Sequence, residues 1–226
     1  MRINADLGRR ALVATESVPW LPSPEAGVER KPLDRDGGEV ARATSLVRYA
    51  PGSAFPSHEH GGGEEILVLD GVFEDEAGRY PAGSYLRNPP GSRHAPRSAQ
   101  GCTLLVKLRQ FLPGDATRVV LDTAKAAWQP GRVAGVESLP LHEFGGERVL
   151  LSRWRPGILD YPAHDHPGGE EVFVIAGALE DEHGTYPRGT WVRLPVGSAH
   201  KPASPEGCLL YVKLGHLAAA ASRQAE

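Results

Sequence analysis

Apolar residues in this chain gather in short runs rather than at helical spacing. "TSLVRYA", "EILVLDG", "SYLRNP" and "TLLVKLRQ" in the first half, then "RVLLSRW", "EVFVIAG", "TWVRLP" and "LLYVKL" in the second, are rich in Val, Leu, Ile and aromatics and are separated by Gly, Pro and Asp. Short runs with turn residues between them predict β-strands, and their regular recurrence predicts an all-β sandwich or barrel. In "EEILVLDG" both parities are apolar, with Ile66 and Val68 on one face and Leu67 and Leu69 on the other. Such a strand is expected to be covered on both sides, by a barrel interior and by something outside it. The outer cover is expected from the other half of the chain or from a second subunit in a homodimer.

The pattern occurs twice. Trp20 to Glu39 reads "WLPSPEAGVERKPLDRDGGE" and Trp128 to Glu147 reads "WQPGRVAGVESLPLHEFGGE", an offset of 108. Further on, His58, His60, Glu64, Gly71, Gly83, Pro89, Gly91, His94 and Cys102 recur as His164, His166, Glu170, Gly177, Gly189, Pro195, Gly197, His200 and Cys208, an offset of 106. A repeat of this length is a whole domain rather than a solenoid unit. Two barrels are therefore expected, residues 1–114 and 115–226, joined through "FLPGDATRVV". The C-terminal "HLAAAASRQAE" is expected to be a short helix or a frayed tail.

Composition narrows the function classes. Of 226 residues, 40% are apolar and 23% charged, which fits an ordinary globular protein. A formal charge of −3 with both signs interspersed offers no basic field for nucleic acid. No apolar run is long enough for a membrane span, and the first residues lack the apolar core of a signal peptide, so a cytoplasmic protein with no membrane partner is expected. Cys102 and Cys208, the two cysteines, each sit in a "GC" ahead of an apolar run and read as small buried hydrophobes on strands.

Histidines are where the repeat turns into chemistry. On a strand His58 and His60 point to one face while Glu59 points away. The glycines at 61 to 63 let the chain turn, after which Glu64 can reach the same point. A fourth group comes from "GSYLRNPPGSRH", ending at His94, matched by "GTWVRLPVGSAH", ending at His200; each follows the first histidine of its repeat by 36 residues. Six of nine histidines fall at duplicated positions, which points to one metal site per repeat: His58, His60, Glu64 and His94, then His164, His166, Glu170 and His200. Imidazoles with one carboxylate suit zinc, iron, nickel, copper or manganese. His142, His183 and His216 have no counterparts and are expected to be solvated or incidental. Glu65 and Glu171 read as outward charges at strand starts.

Gly52, five residues, His58-x-His60, three residues, Glu64, six residues, Gly71 is similar to the first cupin motif, and Gly83, five residues, Pro89-x-Gly91, two residues, His94 to the second. Both recur in the second half, with one extra residue between Gly157 and His164. The chain thus resembles a bicupin, which implies two tandem jelly-roll (double-stranded β-helix) barrels. "HEHGGGEEILVLDGVFEDEAGRYPAGSYLRNPPGSRHAPRS" resembles more narrowly the cupin domain of ChrR-type anti-sigma factors, which implies zinc held by three histidines and one glutamate in each half. Two departures stand out: Ser98 and Ser204 occupy positions where the general motif has Asn, and the chain starts on a cupin repeat rather than on the family's helical zinc-binding domain. Direct sigma-factor binding by that domain is accordingly not expected.

Metal identity separates the function classes. Zinc closed by four side chains fits a binding, sensing or oxidative-stress-related regulatory protein, whereas iron, manganese or nickel leaves positions open for a dioxygenase acting on a small carbonyl, diketone or flavonol-like substrate. Isomerase or sugar-binding activity stays open at the level of the fold. Tyr85 with Arg87, and Trp191 with Arg193, lie at i and i+2 on the strand before the last histidine. Each pair is expected either to frame a small anionic or carbonyl ligand or to lie outward in solvent.

Overall fold

The computed structural model describes residues 1–38 and 40–218 and is almost wholly β-strand, as the short apolar runs predict. The chain divides into two compact units, Met1–Ala5 with Val18–Ala126 and Asp6–Ser17 with Ala127–Glu226.

The first unit's main sheet orders its antiparallel strands Arg2–Ile3, Val28–Gly37, Ala41–Tyr49, Cys102–Leu108, Glu64–Glu74, Ser84–Asn88 and Val119–Asp122. Ser53–Ala54 pairs with Arg97–Ser98, which joins strand Glu64–Glu74 at Glu74, and His58–Glu59 pairs with Arg93–His94 in a separate two-stranded ladder. Ile66, Val68, Phe73, Leu86, Leu104 and Val106 fill the interior. Each such side chain contributes about 1.5 to 3 kcal/mol by leaving water.

Strand Glu64–Glu74 is apolar on both faces for the reason the sequence suggested, and a bulge adds a second effect. Val68 lies opposite Leu104 but Asp70 lies opposite Thr103, so Leu69 is an extra residue in the ladder. A bulge reverses the facing of every residue beyond it on the strand. Even-numbered Ile66 and Val68 and odd-numbered Phe73 therefore all face inward. The second unit repeats the device at Ile175, between Val174 opposite Leu210 and Ala176 opposite Leu209.

Outside the first barrel, Leu46, Leu67, Tyr85 and Leu105 are also buried, so the strand is covered on both faces as expected. Part of the cover is the segment after Leu108: Gln110 Nε2 donates to the Ala43 carbonyl at 2.8 Å, and the Phe111 ring lies 4.0 Å from the Arg87 guanidinium.

The second unit orders Gln129–Pro130, Val136–Phe144, Glu147–Trp154, Cys208–Leu214, Glu170–Asp181, Thr190–Leu194 and Ala11–Ala14, with His164–His166 paired to Ser198–His200. Its interior holds Val136, Trp154, Val172, Val174, Leu179, Val192, Leu210 and Val212.

The unit boundaries differ from 1–114 and 115–226. Ala11–Ala14 adds to Thr190–Leu194, with Leu12 opposite Val192, and Val119–Asp122 adds to Ser84–Asn88, with Val120 opposite Leu86. Ser84–Asn88 and Thr190–Leu194 would otherwise each present an unpaired sheet edge, which a short added strand closes. A division drawn at the repeat cannot see this, because the added strands lie outside the repeated blocks. Both cysteines are free and buried on strands, and burial pushes each thiol up to about 11. No helix among the described residues is long and apolar enough to cross a membrane. Most of the expected C-terminal helix or tail, residues 219–226, lies outside the described residues.

Candidate metal centre

In the first unit the strand register does what the alternation promised and more. His58 lies directly opposite His94 in a two-stranded ladder, and His60 follows on the face of His58. Gly63 turns the chain back at φ +78°, a conformation that disfavours any residue with a Cβ. The His60 carbonyl accepts from Gly63 N at 3.2 Å and from Gly91 N at 3.0 Å, tying the two ligand-bearing loops together. Ligand atoms of His58, His60, Glu64 and His94 consequently all lie within 4.8 Å of one another. Glu64 Oε2 is 3.2 Å from His60 Nε2 and 3.4 Å from His94 Nε2.

Two of the far ring nitrogens are hydrogen-bonded to protein groups and the third faces a carboxylate without a hydrogen bond. His58 Nδ1 is 3.0 Å from the Pro56 carbonyl, His60 Nδ1 is 3.1 Å from Ser92 Oγ, and His94 Nδ1 is 3.5 Å from Asp75 Oδ2. Asn88 Nδ2 donates to Glu64 Oε2 at 3.2 Å. Hydrogen bonds on Nδ1 orient the His58 and His60 rings, and the Nε2 atoms of His60 and His94 face the Glu64 carboxylate, an arrangement that suits metal-binding imidazoles. His60 Nε2 and His94 Nε2 are buried without a hydrogen-bond partner, and these side chains fit a divalent transition metal.

Asp75 and Tyr80 are functional residues that the sequence reading missed. Asp75 Oδ1 accepts from Tyr80 Oη at 3.0 Å, Ala77 N at 2.8 Å and Gly78 N at 3.1 Å, which leaves Oδ2 for His94. Asp75 reaches the inner side because the bulge at Leu69 puts it on the parity of Phe73. The available signal was duplication: "ED" and the following Tyr recur as Glu180, Asp181 and Tyr186. There His200 Nδ1 lies 3.2 Å from Asp181 Oδ2, and Tyr186 Oη donates to Asp181 Oδ1.

The second site repeats the histidines but not the glutamate's setting. His164, His166 and His200 have ligand atoms within 4.8 Å of one another. Glu170 Oε2 stands 3.4 Å from His166 Nε2 and 3.7 Å from His200 Nε2, slightly farther than its counterpart. Leu194 occupies the cross-strand position that Asn88 holds in the first unit. Without that donor Glu170 Oε2 is buried without a hydrogen-bond partner, and burial, followed by the Asp181 carboxylate, pushes its carboxyl up to about 8. Burial, then the neighbouring imidazoles, lowers His60 and His166 to about 4.

Each site lines a cavity inside its barrel, of about 460 Å³ in the first unit and about 830 Å³ in the second. Tyr85, Arg87, Trp191 and Arg193 line neither, and they are not solvated. They sit on the opposite face of the strands, where Arg87 pairs with Glu65 at 2.9 Å and Asp115 at 2.6 Å. Arg193 Nη2 donates to the Asp6 carbonyl at 2.8 Å, and Trp191 Nε1 to Glu171 Oε2 at 3.3 Å. The two arginines hold the segments beside the added edge strands, and the burial of all four side chains corrects the expectation of a solvated pair. Glu65 and Glu171 are likewise buried partners rather than outward charges, because the outer face is covered. His216 is buried at 3.1 Å from Glu171, His142 is buried, and His183 alone of the three is exposed.

A family model described as ChrR Cupin-like domain matches residues 8–112 and again 116–218. No curated protein matches the chain. Among solved structures, a dioxygenase candidate from Nostoc punctiforme superposes with a TM-score of 0.77 at 17% identity, covering 93% of this chain and 84% of that one. YlbA from E. coli gives 0.72 at 15%, covering 94% and 93%. An oxalate decarboxylase from Bacillus subtilis gives 0.64 at 12%, covering 91% and 77%. At these identities the likeness is one of fold.

The geometry carries two expectations. In metal-free protein, His60 and His166 titrate near 4 while an unfolded histidine titrates near 6.5. Between those values the unfolded chain binds protons at these two histidines that the folded chain refuses, which makes stability rise with pH; the raised Glu170 carboxyl acts in the opposite sense, one group against two, so the net stability still rises across the window. The urea midpoint of chelator-treated protein is expected to fall from pH 7 to pH 5, and an unchanged midpoint would contradict the assignment. Asp181→Asn, which weakens the acceptor behind His200, is expected to lower metal affinity of the second site by about 10- to 100-fold, measured by competition with a chromogenic chelator. Unaltered affinity would remove Asp181 from the site.

Proposed function

The chain belongs to the ChrR cupin-like family, with one such domain in each half, and on that premise we propose that it binds a divalent transition metal in each barrel and takes a small ligand into the cavity beside it. The observation that carries this reading is the convergence within 4.8 Å of three imidazoles and a carboxylate on a cavity wall, with His60 Nε2 and both His94 ring nitrogens buried without a hydrogen-bond partner. Zinc suits the first site best, since three imidazoles and one carboxylate complete a tetrahedral shell. In this reading the protein is a cytoplasmic sensor or regulator responsive to a small ligand or to oxidants, acting without direct capture of a sigma factor.

A second reading, a metal-dependent dioxygenase acting on a small carbonyl, diketone or flavonol-like substrate, draws on the cavities that open onto both sites. It needs iron, manganese or nickel, whose six positions leave two beyond the four side chains. The metal would supply Lewis acidity and redox chemistry. The chain's own part would be to orient the substrate against the apolar wall, where Leu104 and Val106 face the first cavity and Leu210 and Val212 the second.

Elemental analysis of protein purified without chelator or affinity tag tests both readings. About two metal ions per chain are expected, with Glu64→Gln and Glu170→Gln each lowering the content toward one by weakening a single site. No stoichiometric transition metal in the parent protein would sink the proposal, and parental content in both variants would refute the glutamate assignments. Zinc alone, with no oxygen consumed on diketones or flavonols, would leave the sensor reading and remove the dioxygenase.

A further inference from the structure

The two cavities have diverged in a way that the duplicated ligands conceal. Corresponding positions can be read from the strand that pairs with both walls: Leu104 lies opposite Val47 where Leu210 lies opposite Ser152, and Leu108 lies opposite Ala43 where Leu214 lies opposite Arg148. Phe73, opposite Tyr80, becomes Leu179, opposite Tyr186. Two of these changes remove bulk, which accounts for part of the larger second cavity; the third puts a guanidinium in the barrel wall where the first unit has a methyl group.

Arg148 lines the second cavity on the inward parity of Leu150 and Ser152, and Arg132 joins it at the rim. Ser152 Oγ accepts from Trp154 Nε1 at 2.8 Å, so its own proton is available to donate into the cavity. Two acids lie near: Asp165, also at the rim, and Glu143, opposite Arg148 in the ladder. Among the described residues neither forms an ion pair with Arg148. The wall beyond is apolar, with Val136, Leu150, Leu179, Leu210 and Val212. The first cavity has arginines too, but Arg30 and Arg35 are engaged with Ser23 Oγ and the Gly38 carbonyl, and Arg109 follows the last strand beside Gly62.

We propose that the second cavity is a receptor for a small organic carboxylate with an apolar body, its carboxylate held by the Arg148 guanidinium and its body lying against the apolar wall. A planar guanidinium matches a carboxylate by two parallel hydrogen bonds, and a cavity of this size and lining suits a ligand of roughly aromatic-acid dimensions. The inference rests on the reading of this cavity as the ligand chamber over the second metal site, and it assigns that chamber a ligand class.

Benzoate is the probe, with benzyl alcohol as its neutral counterpart, titrated calorimetrically into metal-loaded full-length protein. Benzoate is expected to bind and benzyl alcohol to bind at least about tenfold more weakly, with Arg148→Met weakening benzoate by about 10- to 100-fold. Arg148 is exposed at the cavity rim, so the variant is expected to keep the parental metal content and urea midpoint, and Arg109→Met is expected to leave benzoate affinity unchanged. Equal binding of acid and alcohol, no benzoate binding, parental affinity in Arg148→Met, or loss confined to Arg109→Met would each overturn the proposal. Repeating the titration after chelation separates the two layers: benzoate binding that still depends on Arg148 in a protein that never takes up metal would sustain the receptor and sink the metal reading.

Discussion

Each barrel is organised around polar atoms that the protein buries and does not satisfy. An imidazole nitrogen out of water without a partner costs on the order of 1 to 3 kcal/mol, and in the first unit two such nitrogens stand beside a carboxylate oxygen. Much of the surrounding structure serves to hold them there. The two-stranded ladder sets His58 against His94, the turn at Gly63 returns Glu64 to the same point, and the bulge at Leu69 brings Asp75 behind His94. A fold that merely needed to bury apolar surface would have no use for this arrangement. A cation at the centre would remove the penalty on the His60 and His94 Nε2 atoms, which face one another and the Glu64 carboxylate.

Duplication shows which features are tied to that centre and which are free to change. The histidines, the Asp behind the last of them, the Tyr behind the Asp and the bulge recur in both halves. What differs is the glutamate's neighbour, Asn88 against Leu194, and the cavity wall, Ala43 and Val47 against Arg148 and Ser152. The first glutamate is held by a side-chain donor and the second is not. The framework has been kept twice, and the cavity wall differs between the copies.

The fold and the clustering of the histidines were legible because their signals are local or repeated. Strand runs read at period two, and six histidines stood at duplicated positions. Asp75 and Asp181 were missed because a bulge changes which face a residue takes, and one extra residue in a ladder leaves no mark in the alternation itself. Arg87 and Arg193 were misjudged for a different reason. An arginine on a strand reads as a ligand-binding or solvated group, and only the tertiary structure shows Glu65, Asp115 and the Asp6 carbonyl waiting for it on a covered outer face. The exchange of edge strands across the repeat boundary was invisible too, since short segments such as "ALVA" carry no address for the sheet they join.

The central claim is that two buried side-chain clusters each hold one metal through histidine Nε2. Anomalous diffraction from crystals of the metal-loaded protein, collected at the absorption edge of the metal found by elemental analysis, tests it most directly. The account predicts one peak among His58, His60, Glu64 and His94 and a second among His164, His166 and His200, each about 2.0 to 2.2 Å from the facing nitrogens. Peaks only elsewhere on the protein, or at Nδ1 rather than Nε2, would contradict it.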